Sequence, residues 1–82
     1  MLTKRQIQAL RLLRDNFDTE DGEMVYEKGQ CYIGLEKFSG RTLFALLKVM
    51  AIRMLSTSTV GGFEVYTINE TGLKLLERLE NV

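Results

Sequence analysis

Residues Met24 to Ile33 read M-V-Y-E-K-G-Q-C-Y-I, two short runs of β-forming residues on either side of E-K-G-Q, and the architecture turns on what they become. Gly29 is available for the positive φ of a tight turn, so one reading is a small hairpin. The other is a loop that leads into a short helix across Leu35 and Phe38. The β-formers favour extended structure at 24–26 and 31–33.

Upstream, Thr3 precedes Ile7, Leu10, Leu13 and Phe17, apolar positions recurring at near-helical spacing, and Thr3 with Gln6 matches a capping box. This predicts a helix over about 4–16 whose outer face holds Lys4, Arg5, Gln8, Arg11 and Asp15. The stretch D-T-E-D-G at 18–22 joins turn formers to like charges and reads as an exposed loop. Downstream lies Ser39 to Ile52, S-G-R-T-L-F-A-L-L-K-V-M-A-I. Ser39 suits an N-cap, and Leu43, Leu46, Leu47 and Met50 fall at i, i+3, i+4 and i+7, which predicts a helix over about 40–50 with those four residues inward. Arg41, Ala45 and Lys48 then project outward, flanked by Thr42, Phe44 and Val49. Two strands follow, about 52–57 and 62–68, around Gly61-Gly62, with the polar run Ser56 to Thr59 lengthening the turn. Asn69 can cap a last helix over about 70–80, in which Leu73, Leu76 and Leu79 form a stripe with Leu75 beside it and Glu70 stands four residues before Lys74. The class is α+β, and 82 residues suffice for one domain spanning 1–82.

Hydrophobic residues make up 45% of the chain and charged residues 27%, the balance of an ordinary globular protein. No apolar run approaches the roughly 20 residues that a bilayer span needs, and no apolar block follows Lys4 and Arg5, so a cytoplasmic protein without a membrane partner is expected. Cys31 is the single cysteine and histidine is absent. The commonest general base is therefore missing, the thiol reads as a small buried hydrophobe, and neither an enzyme nor a cofactor is expected. The acidic run from Asp15 to Glu27 lacks the regular oxygen spacing of a calcium loop, so no metal is expected either.

The formal charge is zero, yet its distribution is uneven. Residues 1–14 carry Lys4, Arg5, Arg11 and Arg14 without an acid; 15–27 carry six acids without a base. Lys28, Lys37, Arg41, Lys48 and Arg53 then face only Glu36, and from residue 54 acids again outnumber bases. Such a chain can present a basic face, the electrostatic footprint of a phosphate backbone.

The half from Phe38 to Leu79 resembles a winged helix-turn-helix domain of the multiple-antibiotic-resistance-regulator kind. The likeness is carried by the corner Ala51-Ile52 and by the exit Y-T-I-N-E-T-G-L-K-L-L at Tyr66 to Leu76. It implies that Arg41 to Met50 is a recognition helix for the major groove and that Ser56 to Gly62 is the tip of a wing. It also implies roles for Arg41 at guanine or phosphate, for Ser39 and Thr42 at phosphates, and for Lys48 and Arg53 in neutralising them. The wing tip S-T-S-T-V-G-G carries no cation, and the helix face offers only Arg41 and Lys48.

Two function classes follow. The first is a small transcriptional regulator that binds duplex DNA, as a homodimer through its terminal helices, with basic residues of the first helix joining Arg41, Lys48 and Arg53. The second is a protein-interaction module with Phe44 and Val49 as apolar anchors and the acidic 15–27 segment for a basic partner. Phage-borne inhibitors of host nucleic-acid machinery share that build.

Overall fold

The computed structural model describes residues 1–58 and 60–81. Helix α1, Lys4–Asp15, starts at the expected capping box: the Gln6 amide donates to Thr3 Oγ1 at 3.1 Å and the Thr3 amide donates to Gln6 Oε1 at 2.9 Å. A 3₁₀ turn at Glu20–Gly22 leads into strands β1 (Met24–Glu27), β2 (Gln30–Ile33) and β3 (Glu36–Ser39). Helix α2, Gly40–Lys48, follows directly; then come β4 (Ile52–Ser58), β5 (Phe63–Ile68) and helix α3 (Glu70–Glu80).

The opening stretch is a hairpin and part of something larger. Glu27 pairs with Gln30, leaving Lys28 and Gly29 as a two-residue turn with φ of 50° and 79°. Both central residues are left-handed, which matches the right-handed twist of the flanking strands. Ile33 pairs with Glu36 across Gly34 (φ 59°) and Leu35, a second two-residue turn. Residues 36–39 are therefore a strand, and the helix that could have crossed Leu35 and Phe38 does not form.

All five strands are antiparallel and ordered β3-β2-β1-β5-β4. This overturns the winged helix-turn-helix expectation. No helix precedes α2 to complete a helix-turn-helix, because the β2–β3 hairpin occupies that part of the chain. The two strands expected as a wing belong to the central sheet, with β5 paired on both sides. The middle of the chain is strand-rich, and α1 and α3 stand at its two ends.

Register places Met24, Cys31, Ile33, Phe38, Ile52, Tyr66 and Ile68 on one face of the sheet, and all seven are buried. The helices supply Ala9, Leu10, Leu13, Leu43, Leu46 and Leu76 to the same core. The domain is thus a sheet with helices on one face. On the other face the buried Thr67 donates its hydroxyl to the Gly22 carbonyl at 3.1 Å and ties the acidic loop down. Among the described residues no helix is long and apolar enough to cross a membrane.

The inward face of α2 is rotated from the expected one. Thr42, Leu43 and Leu46 are buried and Val49 is half-buried, whereas Leu47 is 38% exposed and Met50 is 70% exposed. Met50 lies beyond the helix in a left-handed conformation (φ 56°), so it does not extend the stripe. In α3 Leu76 is buried, while Leu73 and Leu79 remain about two-fifths exposed at 41% and 40%.

One joint connects the α2–β4 corner to α3. Asn69 accepts from the Gly72 amide at 2.8 Å as the N-cap of α3, and its side-chain amide donates to the Met50 carbonyl at 2.8 Å. Its own backbone amide donates to Ala51 O at 3.1 Å. Gly72 is there because a Cβ at that position would lie 2.3 Å from the same Ala51 oxygen. Gly72→Ala is expected to destabilise the protein by about 1–3 kcal/mol despite its better helix propensity, since backbone must shift. Asn69→Ala is expected to cost about 1–2 kcal/mol through the lost cap alone. Urea unfolding of both variants beside the parent checks the pair, and an unchanged midpoint for Gly72→Ala would show that the corner yields freely.

Candidate nucleic-acid interface on α2

Ser39 ends β3 and caps α2, with its Oγ accepting from the Arg41 amide at 3.2 Å. The start of the helix is pressed against the β1–β2 turn: a Cβ on Gly40 would lie 2.3 Å from Gly29 O and 3.5 Å from the Tyr26 ring. That packing carries Lys28, the residue before Gly29, to the same end of α2. Lys28 was counted in the basic 28–53 segment but not singled out as a site residue from the sequence.

With Thr42, Leu46 and Val49 turned inward, 100° per residue puts Arg41, Phe44 and Lys48 together on the outer side. Leu47 lies on one flank and Ala45 on the other. Phe44 is 59% exposed, and its ring meets Tyr26 edge-on at 5.9 Å between centroids and 73° between planes. Tyr26 thus props Phe44 from below without covering it.

The residues expected to touch DNA are not brought together as a set. Arg41 and Lys48 share the exposed face of α2, and Ser39 stands at its N-terminus. Thr42 is 3% exposed and belongs to the core, so its hydroxyl is withdrawn from any phosphate. Arg53 pairs in register with Thr67 on the far face of the sheet, where it borders a cleft with Phe17, Asp18 and Glu23. Val49, expected as an anchor beside Phe44, is packed against the core at the C-terminal end of α2. Part of the expected wing tip, residue 59, lies outside the described residues; next to it, the Gly61 amide donates to Ser58 Oγ at 2.9 Å.

The first helix does not contribute its arginines to this face. Arg5 binds Glu36 at 2.9 Å, donates to the Lys37 carbonyl at 2.7 Å and lies 4.0 Å above the Phe38 ring. Arg11 and Arg14 grip Glu80 of α3 at 3.2 and 2.6 Å, and Arg14 also meets Asp15 at 2.8 Å. The Arg14 hydrogen bond holds the Glu80 carboxyl below its ordinary range, and the same bond, with that to Asp15, raises the Arg14 guanidinium. Glu36, the one acid among residues 28–53, is therefore occupied. Lys28, Lys37, Arg41, Lys48 and Arg53 enter no ion pair among the described residues.

Glu64 shares the Tyr26 row of the sheet and accepts a 2.9 Å hydrogen bond from the Tyr66 hydroxyl. Cys31, on that row's far side, is fully buried, and desolvation pushes its thiol up, which suits a core side chain and not a nucleophile. Among the described residues no three of Cys, Asp and Glu converge to hold a metal. No family model, no curated protein and no solved structure matches the chain.

Burial pushes the Tyr66 phenol up to about 12, and the hydrogen bond to Glu64 and that group's charge act in the same direction. The fold thus favours the neutral phenol. Its contribution is complete below the ordinary value of 10.0 and is lost as pH rises through about 12. Tyrosinate absorbance should show a step near 12 that disappears in Tyr66→Phe, and the parent should lose stability across that interval more steeply than the variant. Equal alkaline stability of the two proteins would contradict the assignment.

Proposed function

We propose that the outer face of α2 binds the backbone of duplex DNA. The observation that supports this reading is the sorting of charge: arginines of α1 are held in ion pairs, while Arg41 and Lys48 stand exposed and without acid partners among the described residues. They are seven positions apart, about 10.5 Å along a helix axis. The B-form major groove is roughly 12 Å wide. With α2 set across the mouth of the groove, the two long side chains reach phosphates on opposite lips, and Lys28 adds a third cation at the N-terminal end.

Phe44 and Ala45 lie between the two cations on this face. Neither offers a hydrogen bond to a base edge, but both can meet a thymine methyl group. The reading is therefore of a backbone binder with a modest preference for A·T pairs, not of a strong sequence reader. Neutral net charge agrees with modest affinity.

One observation favours a second reading, a protein-docking surface. Phe44, Leu47 and Met50 are exposed on α2 and just after it, and large apolar side chains beside Arg41 and Lys48 suit an acidic, apolar segment of another protein.

A salt titration of duplex binding separates the two. Under the DNA reading, affinity for a mixed duplex pool falls steeply as salt rises. Arg41→Ala and Lys48→Ala each weaken binding across all sequences and lower the salt slope by about 1. Phe44→Ala changes the A·T preference and leaves the slope intact. Absence of binding at low salt, or indifference to both cation variants, would overturn the DNA reading and leave the apolar stripe as the feature to pursue.

A further inference from the structure

A groove of about 550 Å³ opens between the start of α1 and α3, with Val49, the C-cap of α2, in its lining. Met1, Leu2, Ile7, Val49, Leu75 and Leu79 supply its apolar lining. Four of them, Leu2, Ile7, Val49 and Leu75, are half-buried side chains packed directly against the core. The floor of the groove is therefore the core itself reaching solvent, where an apolar occupant would remove surface from water.

Its charged lining is of one sign. Lys74 and Arg78 border the groove, and no carboxylate does. Lys74 is shared with Glu70 at 3.4 Å, but Arg78 enters no ion pair among the described residues. A guanidinium presents a planar fork of donors that fits a carboxylate in two parallel hydrogen bonds. The volume lies within the roughly 300–1,000 Å³ usual for small-molecule sites.

We propose that this groove binds an anionic amphiphile, a free medium-chain carboxylate, with its chain along Leu2, Ile7, Val49 and Leu75 and its head group on Arg78, assisted by Lys74. The site is independent of the DNA reading: it shares with α2 only the C-cap residue Val49.

The test titrates the whole protein with decanoate, decanol and decyltrimethylammonium, each below its micelle concentration, and follows side-chain methyl resonances. Decanoate is expected to shift the methyls of Leu2, Ile7, Val49 and Leu75 saturably, with a Kd about tenfold lower than that of decanol, the size of one charge-assisted hydrogen bond. Arg78→Ala with Lys74→Ala should erase that margin while leaving decanol binding and thermal unfolding unchanged, because both side chains lie at the surface. The absence of saturable shifts, equal affinity for decanol, or preference for the cationic amphiphile would overturn the proposal. So would a dimer in sedimentation whose groove methyls shift with protein concentration, since a second copy would then fill the groove. Binding to phosphatidylglycerol vesicles without binding of free decanoate would overturn it as well.

Discussion

Both surfaces of this protein depend on how the corner after α2 is fastened to the start of α3. Two hydrogen bonds donated by Asn69, to Met50 O and Ala51 O, one that it accepts from the Gly72 amide, and the close approach of Gly72 to the Ala51 carbonyl hold Met50 and Ala51 against the first turn of α3. A corner has backbone groups that neither a helix nor a strand satisfies, and burying it without partners would be costly. Asn69 answers that need with one side chain, using its oxygen for the helix and its nitrogen for the corner. The corner fixes where α2 ends, with Arg41, Phe44 and Lys48 on the helix before it and Val49, its C-cap, in the lining of the groove.

Charge is apportioned by the same geometry. α1 and α3 lie close enough for Arg11 and Arg14 to clamp Glu80, and Arg5 reaches across to Glu36 on β3 and to the edge carbonyl of Lys37. Each of these pairs is exposed, so each adds little stability. Their larger effect is on what is left over. The three arginines at the start of the chain are paired with acids, and the cations of residues 28–53 enter no ion pair among the described residues and stay available to solvent or a partner. A sum over the chain, which is zero, conceals this division.

How far the sequence could be read depends on which physical signal each part carries. The three helices were legible because capping residues and apolar spacing act over a few residues: Thr3 with Gln6, Ser39 and Asn69 each cap as expected. The sheet was half legible. E-K-G-Q announced a turn, but G-L between Ile33 and Glu36 did not announce a second one, and a resemblance at Tyr66 to Leu76 drew the remaining strands into a wing. Strand order depends on pairing between segments distant in sequence, and β1 joins β5 across forty positions at Val25 and Val65.

Local order in this chain was set by its residues alone: where helices begin, that Cys31 lies among β-formers, and that a turn follows Glu27. The assembled chain decided which side of each element faces inward, because that depends on the neighbours it meets. Leu47 and Met50 have the spacing of a buried stripe, yet α2 turns Thr42 and Val49 toward its neighbours instead, since the sheet and α1 meet it from that side. For the same reason Arg53 and Arg41, neighbours in a basic segment, stand on opposite faces, and the arginines of α1 reach acids that lie more than thirty residues away.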